Sequence, residues 1–439
     1  MKMLGYYLEL GFRSFRAARA LTVLVLLSIA MGVAACMTTL TVFHVLSGDP
    51  IPHKSDKLFN VQLDAQRLRD LEPGGEPDLQ LTRFDAEALL RDKRGVHQVV
   101  MTGGNIAVDP AGSGKAEMRP FFSRSRYTSA DFFPMFEPKF LYGSGWSGAD
   151  DEAKARVAVI SKELNDKLFD GADSRGKTLR LRDKDLTIVG VLDDWRPAPH
   201  YFDLTLGAYA KPAEIYLPIQ TSLELKFGRS GNMNCFGDAT GQDVLGPNVP
   251  CTWLQYWVQL DTPQQQAAYR DYLVQYSAQQ KAAGRFERPP NPRLRPVMEW
   301  LAVRKAVPSD IRLQAWLAFG FLLVCLTNAV GLLLAKCLRR SGEIGVRRAL
   351  GASRGAIFQQ FLVEAGGLGL AGGALGLLLT CCGLWIVRQN PSPYAALAQL
   401  DWAMFGTTFG LAIAASLAAG LLPAWRACQI TPALQLKVQ

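Results

Sequence analysis

The sequence predicts an integral membrane α-helical protein with four transmembrane helices and a large α+β extracytoplasmic domain between the first and second spans. Three observations carry this prediction. First, residues 20–47, 313–335, 365–387 and 402–425 contain no charged side chain. A helix needs about 20 apolar residues to cross roughly 30 Å of hydrocarbon, and a buried helix of a water-soluble protein seldom stays uncharged on all sides for so long. Second, the charge is partitioned. The chain has 48 Lys and Arg against 39 Asp and Glu, a formal net charge of +9. Residues 1–19, 336–364 and 426–439 hold twelve basic and three acidic residues, which leaves the remainder neutral at 36 of each sign. The whole excess therefore falls on one side of four alternating spans, the positive-inside pattern, with both termini cytoplasmic. A nucleic-acid footprint would need a basic face on a folded domain, so no nucleic-acid partner is expected. Third, the segment between the first two spans alternates strand-like and helix-like patterns, as a folded domain does.

The 439 residues are 49% hydrophobic and 20% charged, which excludes a disordered chain. In order, the organisation reads as a cytoplasmic segment 1–19, span 1 at 20–47, an extracytoplasmic domain at 48–312, span 2 at 313–335, a cytoplasmic loop at 336–364, span 3 at 365–388, an outer loop at 389–401 with Pro391 and Pro393, span 4 at 402–425, and a cytoplasmic tail at 426–439. Val33-Ala-Ala-Cys36 has the look of a lipoprotein cleavage box, which would lipidate Cys36. The apolar run continues past it to Val45, too long for a signal peptide, so a retained helix is expected.

Within 48–312, the run starting at Phe59 alternates like a strand. Thr82-Arg-Phe-Asp85 starts a helix to about Lys93 with capping-box spacing. Ala158–Ile160 reads as a strand, Lys162–Phe169 as a short helix, and Thr178–Arg182 with Leu186–Leu192 as a hairpin about Asp183–Asp185. Four prolines in Pro289–Pro296 suggest a rigid connector. Gly171–Thr178 satisfies the phosphate-loop pattern G-x-x-x-x-G-K-S/T. In a nucleotidase that loop follows a strand and opens a helix whose N-terminus faces the phosphates. Here a polar helix precedes it and a strand follows, so a turn with strain-relieving Gly171 and Gly176 is expected and not an ATP site. Of eight cysteines only Cys235 and Cys251 fall in the outer domain. In an oxidising compartment they are expected to form a disulfide, the alternative being two free thiols. Four scattered histidines give no ligand spacing for a metal and no Ser/His/Asp set, so no catalytic residue, cofactor or metal is assigned.

The cytoplasmic loop is the most informative segment. Glu343–Leu350 has helical spacing, Gly351 suits a C-cap and Ser353 an N-cap. The expected form is a basic elbow between two membrane helices, suited to a partner protein or anionic membrane lipid. Glu343, Ile344, Gly345, Val346, Arg347, Arg348, Ala349, Leu350, Gly351, Ala352 and Ser353 resemble the signature E-I-G-I/V-R-R/K-A-L/I-G-A-S/T of the FtsX/MacB-type ABC transporter permeases. The blocks Ser129–Phe136, Val157–Ser161, Leu168-Phe169, Gly176–Leu179 and Thr187–Leu192 are similar, in order, to that family's periplasmic core domain, and Arg13, Arg16 and Arg19 to its amphipathic helix before span 1.

The resemblance implies a non-catalytic permease subunit in the bacterial inner membrane. In that family a permease dimer sits on two ATP-binding subunits, and the loop after span 2 relays ATP-driven motion to the outer domains for efflux. Carried over, residues 343–353 form the ATPase-coupling element. The implied partners are an ABC ATPase subunit, a second permease subunit in a homo- or heterodimer, a periplasmic adaptor and an outer-membrane channel. The cytoplasmic parts hold nothing like a nucleotide-binding domain, so ATP is expected on a separate polypeptide. Lipoprotein release, or a division-type regulator of a cell-wall hydrolase that moves no substrate, is the alternative within the family. A membrane-anchored sensor would not explain three closing spans. Span 3 carries Gly369, Gly372, Gly373 and Gly376 at small-xxx-small spacing, which calls for close helix contact within the subunit or across a dimer. Asn328 in span 2 is expected to bond to a neighbouring helix.

Overall fold

The computed structural model describes residues 19–428 apart from 71–73, 116, 238, 240 and 390–401. The expected helix before span 1, the outer loop with Pro391 and Pro393, and most of the tail lie outside the described residues. The chain divides into two compact units, residues 48–306 and the membrane segments on either side of them in sequence.

The outer unit is built on strands β1 (Leu58–Gln62), β2 (Leu81–Thr82), β3 (His97–Asp109), β4 (Phe121–Thr128), β5 (Phe140–Gly143), β6 (Val157–Ser161), β7 (Thr178–Leu181), β8 (Lys184–Leu192), β9 (Ile215–Pro218), β10 (Arg229–Ser230), β11 (Asn234–Cys235), β12 (Cys251–Gln259) and β13 (Arg293–Pro296). The main path of the sheet runs β13-β1-β12-β3-β4-β9-β6-β8-β5. Its neighbours are antiparallel except β4 with β9 and β6 with β8. Numbering helices from α1 (Arg19–Ser47), this unit adds α2 (Arg83–Asp92), α3 (Phe132–Phe136), α4 (Gly148–Glu152), α5 (Lys162–Phe169), α6 (Ile219–Glu224), α7 (Pro263–Ala282) and α8 (Val297–Val303).

All nine residues of β12 are buried. Side chains alternate across a strand, so Leu254, Tyr256 and Val258 enter one apolar cluster. Trp257 enters another with Phe132, Phe136, Tyr201, Phe202 and Trp300. The segment 199–207 is tied to the sheet by a buried ion pair, Arg126 Nη1 to Asp203 Oδ2, with the two side chains 1% and 0% exposed. Asp203 Oδ1 also accepts from Thr205 N, Thr205 Oγ1 and Gln255 Nε2. Burial raises the Asp203 pKa, but Arg126, with the Thr205 hydroxyl and His200, outweighs it and the net shift is downward. Burial and Arg126 push His200 down to about 4.

The Thr82 cap forms: its hydroxyl accepts from Asp85 N at 3.2 Å and donates to Asp85 Oδ2 at 2.5 Å. The Asp85 carboxylate does not return to the cap backbone. It is taken by Tyr276 and Arg285, each at 2.7–2.8 Å. The β7–β8 hairpin pairs Thr178 with Thr187 and Leu181 with Lys184. Gly171 and Gly176 take φ of +78° and +77°, and Lys177 Nζ lies 5.0 Å from the Phe169 ring centroid. A strand, not a helix, follows this turn. The proline-rich stretch departs from the connector reading: Arg293–Pro296 is an edge strand paired with β1. Proline is tolerated at an edge because its missing N–H can face outward.

Cys235 and Cys251 sit opposite each other in the β11–β12 ladder and are joined by a disulfide closing a sequence separation of 16. A loop of that length is worth about 3 kcal/mol in the chain-entropy account. Reduction of the purified protein is expected to lower the outer unit's midpoint, and peptide mapping without reductant should recover the linked pair. Two freely alkylated thiols would refute the bridge.

Among the described residues, the membrane unit contains four helices long and apolar enough to cross a bilayer: α1, α9 (Ser309–Arg339), α11 (Arg354–Gln389) and α12 (Trp402–Cys428). They outrun the uncharged stretches. The 31 residues of α9 rise about 47 Å, so its charged ends extend beyond a 30 Å core. Hydropathy marks the part in hydrocarbon, whereas hydrogen bonding marks the helix.

The glycines of α11 work in two alternating faces, both within the subunit. A Cβ on Gly372 would lie 3.1 Å from Ile29 Cγ2, and one on Gly376 would lie 3.3 Å from Val33 Cγ1, both on α1. A Cβ on Gly373 would lie 3.0 Å from Ala412 Cβ on α12, and one on Gly369 would overlap the Ser416 side chain. Asn328 does not bond to a neighbouring helix as expected. It is exposed, because Cys325 and Ala329 are the residues that α9 turns inward.

Candidate functional site

The site is the elbow between α9 and α11, whose core is helix α10 (Ser341–Ala349). Arg340 breaks the path of α9: its N–H bonds to Cys337 O, while its own carbonyl accepts from Ile344 N and opens α10. At the far end Gly351 takes φ +98°. This left-handed conformation lets Gly351 N and Ala352 N close onto Arg348 O and Arg347 O. Ser353 then caps α11, its hydroxyl accepting from Ala356 N at 3.1 Å.

One side of α10 is fixed. Ile344 and Gly345 are buried, and Ile344 packs with Cys337 and Ile357, flanked by Phe358 and Phe361. The other side is open. Leu350 is 83% exposed and Val346 55% exposed, spaced i and i+4 so that they share a face. Gly342, Glu343 and Ala349 are exposed as well, and Arg347 and Arg348 are half-buried. Arg347 is turned toward its own chain, ion-paired with Glu343 Oε1 at 2.6 Å and donating to Gln360 Oε1 at 3.2 Å. The free knob on the elbow is therefore apolar, with charge beside it. Burial raises the Glu343 pKa, but Arg340 and Arg347 more than offset it and hold the carboxylate below its usual range.

Composition and motif reading did not single out Lys336, Arg340, Gln360 or Glu364. All four are ion-paired or hydrogen-bonded in the elbow. The only sequence signal was that Lys336 and Glu364 bound the uncharged spans, where they counted as loop charges. No group of three or more His, Cys, Asp or Glu placed to hold a metal occurs among the described residues.

Residues 22–276 match the family described as MacB-like periplasmic core domain, and residues 315–432 match FtsX-like permease C-terminal. The chain belongs to the FtsX/MacB-like ABC permease family. Relatives include the macrolide export ATP-binding/permease protein MacB of Marinobacter nauticus, 24% identical over 97% of this chain and 59% of that protein. The pyoverdine export ATP-binding/permease protein PvdT of Pseudomonas aeruginosa is 24% identical over 71% of this chain and 42% of that one. This FtsX/MacB-like chain thus spans about three-fifths or less of the relatives' length. Among solved structures, the periplasmic region of MacB from Actinobacillus actinomycetemcomitans aligns with a TM-score of 0.37 at 11% identity, over 60% of this chain and 97% of that one. Membership and four apolar helices make the chain a multi-pass inner-membrane permease component.

Proposed function

We propose that the chain is the permease subunit of an ABC export system, and that α10 receives the motion of an ATP-hydrolysing partner and passes it to the spans. The observation that carries this reading is the elbow itself. An apolar pair, Val346 and Leu350, stands exposed on a short helix whose other face is locked to two membrane helices. An exposed apolar pair rimmed by charge is the form of a protein-docking surface. We place both termini and α10 on the cytoplasmic side from the charge bias, with ATP bound by the ATP-hydrolysing partner that α10 meets. A second permease subunit, an adaptor and an outer-membrane channel complete the proposed assembly. The relatives are named for macrolide and pyoverdine export, which favours export over lipoprotein release or hydrolase regulation.

The test is Leu350→Asp. The side chain is too exposed for the change to unfold the elbow, so insertion and thermal midpoint should stay unchanged. In inner-membrane vesicles containing the co-expressed cognate ATPase, permease-stimulated ATP hydrolysis should fall about tenfold, since a buried hot-spot contact is worth 1.4 kcal/mol or more. Wild-type stimulation would remove Leu350 from the docking surface.

A further inference from the structure

We infer that Glu364 is a positioning residue for α10: it closes a ring of ion pairs and charge-assisted hydrogen bonds that makes the end of α9, the docking helix and the start of α11 one rigid piece. The inference rests on the reading of α10 as the docking helix and adds the means by which its motion leaves the elbow. Glu364, on α11, is 5% exposed, and one of its oxygens, Oε1, accepts from Lys336 Nζ on α9 at 2.5 Å, itself 3% exposed. The other, Oε2, accepts from Arg340 Nη1 at 3.3 Å. Arg340 Nε donates to Glu343 Oε2 at 3.1 Å. Glu343 Oε1 forms an ion pair with Arg347 Nη2 at 2.6 Å, and Arg347 Nη1 donates on to Gln360 Oε1 at 3.2 Å. The path leaves α11 at Glu364, runs through α10 and returns to α11 at Gln360. Residues four apart share a helix face, so Gln360 and Glu364 form a single wall of the ring.

The ring answers a mechanical need. A nine-residue helix is far below the length that holds itself together in water, and α10 buries only Ile344 and Gly345. Apolar contact alone lets a helix roll, whereas directional charge-assisted bonds fix its rotation. A push on Val346 and Leu350 then reaches α9 through Lys336 and α11 through Glu364, and is not lost as rotation of α10. A buried ion pair is a poor device for stability, because well-packed apolar residues often serve as well. Its retention here is explained by orientation.

The experiment is hydrogen–deuterium exchange on the full chain in lipid nanodiscs, read at peptides covering 341–350. Glu364→Gln keeps shape but removes charge, and should raise exchange there about tenfold, the mark of a local opening made easier. Peptides from 48–306 should not change. Because a lone buried Lys336 could hinder folding, Lys336→Met/Glu364→Met provides the second arm: it leaves no orphaned charge, should fold and insert normally, and should show the same local loss. Lys336→Arg keeps the cation opposite Glu364 and should keep wild-type protection, whereas Lys336→Met alone should lose it, a difference that a role in packing alone would not require. Wild-type protection of 341–350 in the double methionine variant overturns the inference. Leu350→Asp should leave this protection intact, so failure of the docking reading and failure of the ring register in different measurements.

Discussion

Asp203→Ala is expected to destabilise the outer unit by about 3–5 kcal/mol, the usual result of removing one partner from a buried ion pair. Arg126 would be left 1% exposed with its carboxylate gone, and Thr205 and Gln255 would lose an acceptor. For a domain of this size each kcal/mol lowers the midpoint by about 2–4 °C, so the shift should be roughly 6–20 °C. Trp257 and Trp300 sit in the adjacent aromatic cluster and report the transition by fluorescence. Arg126→Met/Asp203→Leu removes both charges and should recover most of the loss, and a single variant as stable as wild type would contradict the burial of this pair. The pH dependence has a definite sign. His200 has a folded pKa lowered to about 4, below its ordinary value near 6.5. Folding therefore opposes its protonation, and the stability present above pH 6.5 is lost as pH falls toward 4. Asp203, also lowered, acts in the same direction at lower pH. Melting at pH 7 and pH 5 should show the weaker outer unit at pH 5, and a flat profile would contradict the buried neutral imidazole.

Gly369→Leu should be the most damaging single change in the membrane unit. Even a Cβ there overlaps Ser416, with the Ala412 carbonyl 3.2 Å away. A backbone cannot yield as a flexible side chain does, so α11 and α12 must separate. Overpacking of this kind costs about 1–3 kcal/mol in cores that can adjust, and more where they cannot. Gly410→Ala, where an added Cβ meets nothing within 4 Å, is the control and should be neutral or slightly stabilising through helix propensity. Monodisperse yield in size-exclusion chromatography reads the difference. Equal yields would mean that the two helices do not meet at Gly369.

How legible the molecule was depended on the range over which each signal acts. The spans and the elbow caps are written in consecutive residues: twenty uncharged positions, or a glycine and a serine two apart. The hairpin about Asp183–Asp185 and the hydroxyl cap at Thr82 are equally local and both form, although the reciprocal half of the capping box does not. The middle of the sheet was not. Strand β12 pairs with β1 and β3 across more than 150 residues, and its fully buried run lacks the alternation that marks a half-exposed strand. Pro289–Pro296 misled because proline content says where a central strand cannot be, yet an edge strand accepts it. The ion ring was invisible for the same reason of range. Lys336 and Glu364 lie 28 residues apart, and each alone reads as a boundary charge. The paired faces of the α11 glycines needed the positions of α1 and α12 before Gly369 and Gly372 could be assigned different neighbours.

Those glycines also set how far a stroke can travel. Helix α11 runs 36 residues from Arg354 to Gln389 with no proline among them, so no missing N–H interrupts its ladder. Its close contacts are spread along it: Ala365 against Gly420 and Gly369 against Ser416 on α12, Gly372 against Ile29 and Gly383 against Thr38 on α1. Ala365 to Gly383 is about 27 Å at 1.5 Å per residue. A beam gripped over that length does not pivot about one point. A sideways displacement of the elbow end is carried by α1 and α12 together with α11, and reaches the far end as movement of the bundle and not as a tilt of one helix.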